Sequence, residues 1–290
     1  MIDIDGFRQY LYEEEMSRNT VISYVKAVTL YAAKHDEITK GNLIEYKQEQ
    51  LARHKPSTVN LRIAGMMCYC RYAKIAEHLK PVKMPPKMTA ENVITQEQLD
   101  QLIGCLDADH KRCWIVNVLL LAKTGMRISE ALRVKKSDIE AGQVQMHTKG
   151  HMRTIYFPAS LVEAISEDIA DLSLSDQVIR GNRHQTHKPL PISSPASFRN
   201  SLNRLGVRYG IPKEVLHPHS FRHYFALEFL KENPDIALLA DILGHRSIDM
   251  TRIYLRRSQE QLKDPNPNMS HFLFYENQTS CYQHLGHWFL

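Results

Sequence analysis

Apolar residues in the first eighty positions repeat with the spacing of α-helices. The positions at i, i+3 and i+4 are Phe7, Tyr10 and Leu11, followed by Val21, Tyr24, Val25 and Val28. This period predicts helices with one buried face. Asn19 or Thr20 is suited to cap the second helix and Thr39 the third, while Pro56 opens a fourth with Leu61 near its buried side. The pattern predicts a compact unit of four helices.

Residues 81–93 interrupt this pattern with three prolines and two lysines. Proline blocks helix continuation and favours extended neighbours, so the segment is interpreted as an interdomain linker. Its lysines suit either a strap lying against phosphates or an ordinary solvated linker.

Helical spacing resumes after the linker and is broken once. Thr95 begins a capped helix, and residues 114–123 form a mostly apolar helix suited to the centre of a core. Residues 143–157 alternate apolar and polar around Lys149 and Gly150, which predicts a β-hairpin. Helices follow from Ser160, with loops around 180–195. The fold class is therefore mainly α with a small β-sheet.

Composition narrows the class of protein without identifying it. The 290 residues are 43% hydrophobic and 24% charged, as in soluble globular proteins, with a net charge of +5 and 15 histidines. No long apolar run or secretory signal is present, and five scattered cysteines suit a reducing compartment. We expect a cytoplasmic protein, and the basic balance is compatible with nucleic acid.

Residue types suited to phosphate chemistry occur in four separated segments. These are residues 124–132 (TGMRISEAL), 148–150 (TKG), 217–223 (HPHSFRH) and 243–254, which begins LGH and ends in Tyr254. His219 and Arg222 have the spacing HxxR, and Tyr254 follows His245 by nine residues.

Each residue type has a chemical reason to be there. Guanidinium groups stay charged and donate paired hydrogen bonds to phosphate, which suits Arg127 and Arg222. A phenol with a pKa of about 10 is a weak nucleophile and needs a proton acceptor, a role open to His219. Lys149 at a hairpin tip is a candidate acid for the leaving oxygen, and Glu130 a support that positions basic side chains.

In order and spacing, the four segments resemble the motif boxes of the tyrosine recombinase family of phage integrases and Xer-type enzymes, over residues 94–257. The resemblance implies a site-specific recombinase that cleaves and rejoins DNA through a 3′-phosphotyrosine, with no cofactor, metal or ATP, to integrate, excise or resolve a DNA element. The catalytic residues that it implies are Arg127, Lys149, His219, Arg222, His245 and Tyr254.

The resemblance also implies an organisation. A helical SAM-like core-binding domain over residues 1–80 and a linker over 81–93 precede a catalytic domain over 94–257. A tail, residues 258–290, docks on a neighbouring subunit or folds back on its own domain. The partner is double-stranded DNA with core sites, held by a homotetramer of two dimers with or without accessory proteins, and no membrane. Candidate DNA contacts are Arg62, Arg71, Lys74, Lys83 and Lys87.

Other interpretations of single residues stay open. Lys149 competes with nearby Lys135, Lys136 and Arg153, and His219 competes with His217 and His223. Zinc ligands could come from Cys281, His284 and His287 or from Cys68 and Cys70, but neither group has a familiar four-ligand spacing. The alternative functions are a type IB topoisomerase and a non-catalytic DNA-binding protein on a recombinase scaffold.

Overall fold

The computed structural model of the protein describes residues 2–84, 92–148, 151–181, 189–245 and 247–255. They form two compact units, one within residues 1–86 and the other within residues 87–290. Both are mostly helical, and small antiparallel sheets occur in the second. In the described part of the chain, no helix combines the length and the hydropathy that a membrane span requires.

The first unit contains the four helices that the sequence predicts. They are α1 (Ile4–Glu13), α2 (Arg18–Ala32), α3 (Lys40–Arg53) and α4 (Pro56–Tyr72). Thr39 caps α3 as expected, because its hydroxyl accepts a hydrogen bond from the amide of Asn42. The prediction for α2 was wrong: Ser17 is the cap, since its hydroxyl accepts from the amide of Thr20, and Asn19 lies inside the first turn.

The core of this unit is aromatic, with Phe7, Tyr31 and Tyr46 almost fully buried. Gly65 lets α4 approach α2 closely, since a Cβ there would lie 3.1 Å from the Cα of Tyr24. The expectation for Leu61 was wrong. It is 47% exposed, because the buried positions of α4 follow a spacing of three and four residues that leaves position 61 on the opposite side.

The chain that leaves α4 stays fastened to the same unit as far as residue 82. Leu79 is buried, and Lys47 donates to the carbonyl of Lys80 at 2.7 Å. The amide of Val82 donates to the side chain of Asn60 at 2.7 Å, and that side chain donates back at 2.9 Å. Residues 85–91, the middle of the expected linker, lie outside the described residues.

The second unit surrounds a central helix, as the sequence predicts. Its elements are α5 (Gln96–Ala108), α6 (Arg112–Thr124), α7 (Ile128–Ala131), α8 (Lys136–Glu140), β1 (Gln143–Thr148), β2 (His151–Tyr156), α9 (Ala159–Ile165), β3 (Arg180–Gly181), β4 (Leu190–Pro191), α10 (Pro195–Tyr209), α11 (Pro218–Glu232), α12 (Ile236–Leu243) and α13 (Asp249–Arg252). Helix α6 packs against α5, α9 and α11 and buries most of its side chains. Thr95 and Gln98 form the capping box that begins α5.

The predicted hairpin is confirmed, and a second, shorter one was missed. Strands β1 and β2 pair antiparallel with Met146 opposite Arg153, while Lys149 and Gly150 lie outside the described residues. The pair β3–β4 has only two residues in each strand, within the stretch that was expected to be loop. Two-residue strands are too short to show alternation in a sequence.

A small separate core lies at the end of the described chain. Ala226 and Phe229 of α11 pack with Leu239 and Leu243 of α12 and with Tyr254, which follows α13. Helices α11 and α12 therefore fix the position of Tyr254.

Candidate active site

Helix α11 carries three of the candidate side chains, His219, Arg222 and His223, near its N-terminal end. His217 caps the helix by accepting from the amide of Ser220, and Pro218 occupies the first turn. Arg222 is 96% enclosed, at 4% exposure, and donates to the carbonyl of Gly125 at 2.8 Å and to that of Leu243 at 2.6 Å. These two bonds fix its guanidinium between the ends of α6 and α12.

Arg127 reaches the same place from the turn that ends α6. Gly125 adopts a left-handed conformation with φ of 59°, which stops the helix and turns the chain into α7. The backbone amide of Arg127 donates to Glu130 at 2.7 Å, and its guanidinium donates to Glu130 at 3.1 Å and to the carbonyl of Gly244 at 3.2 Å.

Arg153 on β2 is a member of this site, whereas the sequence interpretation named it only as a competitor of Lys149. Its guanidinium donates to Glu130 at 2.5 Å and also bonds the carbonyl of Ile242. The signal was present, because Arg153 precedes the buried Ile155 and Phe157 at a spacing of two residues, which places all three on the inward side of the extended chain. An arginine at a core-facing position indicates a buried charged partner.

Three consecutive carbonyls at the end of α12 hold these arginines side by side. We call Arg127, Arg153 and Arg222 the arginine cluster. Arg153 donates a hydrogen bond to the carbonyl of Ile242, Arg222 to that of Leu243, and Arg127 to that of Gly244. Carbonyls at a helix C-terminus carry partial negative charge and lack partners within the helix. The end of α12 therefore orients guanidinium groups that would otherwise repel one another.

The electrostatics of the cluster favour a further anion. Burial, with Arg127 and Arg153 close by, lowers the pKa of Arg222 to about 9. Burial alone would raise the pKa of Glu130, but Arg153 and Arg127 outweigh this effect and lower the pKa below its usual range. One carboxylate thus faces three cations, which leaves excess positive charge for a phosphate.

His245 follows Gly244, the residue that ends α12. Its Nδ1 lies 2.7 Å from the hydroxyl of Thr251. Burial and the nearby arginines, Arg222 first, lower the pKa of His245 to about 4. The ring is therefore neutral at physiological pH, with a single N–H to donate.

The hydroxyl of Tyr254 contacts a histidine, but not the one that spacing favoured. Its Oη lies 2.6 Å from Nδ1 of His223, and the side chain is 8% exposed. Burial raises the pKa of Tyr254, while Arg222 acts to lower it. His219 lies one turn earlier on α11, with its ring centroid 6.5 Å from that of His223, and its pKa is lowered by burial and by Arg222.

The candidates fall into three groups by position. Arg127, Glu130, His219, Arg222, His245 and Tyr254 converge in the second unit. Lys149 and Lys87 lie outside the described residues, as do Cys281, His284, His287 and the tail. Cys68 and Cys70 are buried in the first unit's core. Within the described residues, no cluster of three or more His, Cys, Asp or Glu could hold a metal ion.

The expected DNA contacts of the first unit do not share one face. Arg62 and Arg71 are nine residues apart on α4, which places them half a turn from each other. Arg62 is half-buried, whereas Arg71, Lys74 and Lys83 are exposed.

The chain is similar to known recombinases over most of its length. The XerA tyrosine recombinase of Pyrococcus furiosus is 28% identical over 269 residues, which cover 90% of this chain and 91% of that protein. XerA of Thermococcus onnurineus is 26% identical, with coverage of 90% and 92%. A XerC of Lactobacillus delbrueckii subsp. bulgaricus is 26% identical, with coverage of 89% and 95%.

Solved structures share the fold at lower identity. A lambda integrase dimer bound to a COC′ core site has a TM-score of 0.68 at 16% identity, covering 88% of this chain and 76% of that chain. XerH bound to its difH substrate has a TM-score of 0.61 at 18% identity, covering 84% and 77%. Residues 92–261, more than half of the chain, match the phage integrase family. The protein therefore belongs to the phage integrase family of tyrosine recombinases.

Proposed function

We propose that the protein is a site-specific recombinase that cleaves and rejoins DNA, with Tyr254 as the nucleophile. The observation that carries the proposal is the arginine cluster at the end of α12, which lies close enough to influence the pKa of Tyr254 through Arg222. A buried set of oriented guanidiniums beside a phenol suits the transfer of a phosphoryl group to that phenol.

In this proposal each group has a step. Arg127 and Arg222 bind the non-bridging oxygens of the scissile phosphate, and His245 donates its single N–H to the same group. His219 lies at the same end of α11 and completes the polar surroundings of the phosphate. The Oη of Tyr254 forms a bond to phosphorus as the bond to the 5′ oxygen breaks, and Lys149 supplies a proton to that oxygen.

Rejoining is the reverse of cleavage. The phosphotyrosine conserves the energy of the phosphodiester, and a free 5′ hydroxyl attacks it to release Tyr254. The proposed reaction therefore needs no ATP and no metal ion. Glu130 acts by holding Arg127 and Arg153 in position, through the contacts described above.

The proposal includes the way in which the DNA is held. Residues 1–80 serve as the SAM-like core-binding domain, joined by the linker at 81–93 to the catalytic domain at 94–257. Exposed Arg71, Lys74 and Lys83, with Arg62 and Lys87, contact phosphates. A homotetramer, assembled as two dimers, brings two sites together. XerH and lambda integrase are DNA-bound in their solved structures, which supports a DNA partner. Affinity should fall steeply with salt as phosphate contacts release counterions.

A suicide substrate tests the proposed function. A duplex from the DNA that flanks the gene, nicked close to the cleavage position, lets a short product diffuse away and traps the cleaved state. We expect a covalent protein–DNA adduct that survives denaturation, in EDTA and without ATP. Tyr254→Phe should abolish the adduct, while Tyr156→Phe, at a tyrosine that is 62% exposed, should not.

A second assay separates recombination from relaxation by a topoisomerase. Two labelled duplexes that both carry the site should exchange strands, whereas a topoisomerase relaxes supercoiled plasmid of any sequence without exchange. Wild-type protein that binds its site but forms no adduct on any strand would contradict the proposed function and favour a non-catalytic DNA-binding protein.

A further inference from the structure

We infer that His223, rather than His219, accepts the phenolic proton of Tyr254 during strand cleavage. The inference rests on the proposed function and names a further catalytic residue for it. A proton acceptor must lie within hydrogen-bond reach of the atom that loses the proton, about 2.6–3.2 Å. Nδ1 of His223 meets this condition at 2.6 Å from Oη of Tyr254.

Packing and hydrogen bonds hold both His223 and Tyr254 in place. His223 is on α11 directly after Arg222, whose two backbone contacts fix that turn of the helix. Tyr254 is held by the small core of Ala226, Phe229, Leu239 and Leu243. The rings lie 5.5 Å apart between centroids, inclined at 55°, so the phenol approaches the imidazole edge and not its face. This geometry lets Nδ1 accept along the O–H bond.

Burial makes an acceptor necessary. The pKa of Tyr254 is raised by burial, so the hydroxyl keeps its proton at neutral pH. Attack on phosphorus without removal of that proton would leave a positive charge on the phenolic oxygen. Arg222 favours the phenolate but, as a guanidinium, cannot take the proton.

Several titratable groups lie around His223 within the described residues. Tyr254 faces it from the end of α13, His245 from the end of α12, and His219 and Arg222 from its own helix. A neutral imidazole presents one ring nitrogen as an acceptor, which is the form that the proposed step requires.

The proposed step balances. Oη of Tyr254 forms a bond to phosphorus and the bond to the 5′ oxygen breaks, while the phenolic proton moves to Nδ1 of His223 and Lys149 protonates the leaving oxygen. In the reverse reaction, His223 returns the proton to the departing phenol. His219 remains beside the phosphate and is not needed at the nucleophile.

The test compares His223→Ala and His223→Asn with wild type on the suicide duplex from pH 6 to pH 9. Asparagine places a hydrogen-bonding atom near the position of Nδ1 but does not take up a proton in this range. We expect both variants to form adduct about a hundredfold more slowly at pH 7. The deficit should shrink as pH rises, because the phenolate fraction increases about tenfold per pH unit below the phenol pKa.

Controls separate the step from folding and from the leaving group. His110→Asn replaces an exposed histidine with φ of 52°, which asparagine tolerates, and should leave the rate unchanged. Sulfur in place of the bridging 5′ oxygen makes the leaving group independent of protonation. With that substrate, Lys149→Ala should form adduct at the wild-type rate, whereas His223→Ala should remain slow. Circular dichroism and binding of the uncleaved duplex should match wild type.

Three results would overturn the inference. The first is a wild-type rate in His223→Asn, which would mean that the ring only orients the phenol. The second is a deficit that is constant across pH or that the sulfur substrate restores. The third is faster cleavage by His223→Ala, which would mean that the contact holds Tyr254 inactive. Adduct formation by wild type in the same assay keeps these results distinct from failure of the proposed function.

Discussion

The guanidinium of Arg153 lies 2.5 Å from the carboxylate of Glu130, and both side chains are almost completely enclosed by protein. The pair joins β2 to the first turn of α7, and Glu130 also binds the backbone amide and the guanidinium of Arg127. A single carboxylate therefore links the middle of the hairpin to one of the proposed phosphate-binding arginines.

Glu130→Gln should destabilise the protein and slow cleavage. Removing the charge leaves Arg153 buried without its ionic partner, and breaking a buried pair in this way costs about 3–5 kcal/mol. Urea unfolding should show the loss, and the suicide duplex should show slower adduct formation as Arg127 loses its support. The control is Glu130→Gln combined with Arg153→Met, which should recover part of the stability. Equal stability of the single and double variants would contradict the pairing.

Gly244→Ala should be more damaging than Gly210→Ala, although both glycines end helices in the left-handed conformation with φ of 62° and 69°. Alanine in that conformation costs about 1–2 kcal/mol at either position. At Gly210 the added methyl group meets nothing within 4 Å, whereas at Gly244 it would lie 2.5 Å from Cδ of Arg153.

Urea unfolding and cleavage assays of the two glycine variants check this difference. Gly210→Ala should lose only the stability that the left-handed backbone conformation costs an alanine, and it should retain the cleavage rate. Gly244→Ala should lose more stability and also lose activity, because its carbonyl orients Arg127. Similar losses in the two variants would mean that Arg153 moves aside without consequence.

Sequence patterns predicted the elements whose signals are local. Thr39 and Thr95 were identified as caps because a hydroxyl before an apolar repeat has one obvious use, and α6 because its apolar run is long. At α2, Asn19 and Thr20 were named as possible caps, but the structure shows that Ser17, just upstream, is the cap. The two-residue strands β3 and β4 have no periodicity to detect.

The parts of the site that the sequence did not predict depend on contacts between distant segments. Spacing alone favours His219, but which ring reaches Tyr254 depends on the packing of α11 against the end of α13, 31 residues away from His223. Backbone carbonyls have no sequence signature, so the role of the end of α12 in holding the arginine cluster was not predictable. Arg153 was detectable as an inward-facing arginine, but its partner Glu130 is 23 residues away.

Gly65→Ala and Gly104→Ala should change stability in opposite directions, although both replace a glycine inside a helix. At Gly65 the methyl group would lie 3.0 Å from Cβ of Ala27 and 3.1 Å from Cα of Tyr24, so α2 and α4 must separate. Overpacking of this kind costs about 1–3 kcal/mol. At Gly104 nothing lies within 4 Å, and alanine should stabilise α5 by about 0.5–1 kcal/mol. Thermal unfolding of the two variants checks both signs, and a neutral Gly65→Ala would contradict the close crossing.

His245 should make the protein less stable as the pH falls from about 6.5 to about 4. The ordinary pKa of histidine is 6.5, whereas burial and the arginines lower that of His245 to about 4. Between these values the unfolded chain binds a proton that the folded protein does not, so protonation favours unfolding. The loss is absent above pH 7 and complete below pH 4. It amounts to at most about 3 kcal/mol, and less because the ring is partly exposed.

Urea unfolding of wild type and His245→Asn at pH 7.5 and pH 4.5 measures this contribution. The asparagine amide can keep the hydrogen bond to Thr251 but does not titrate, so the variant should lose less stability on acidification than wild type. His219, whose pKa is also lowered, acts in the same direction in both proteins and cancels in the comparison. If the two proteins lose the same stability, His245 takes up its proton as readily in the folded protein as in the unfolded chain. The arginines of the cluster would then exert no effective field at the ring, and the neutral N–H assigned to it during cleavage would have to come from another group.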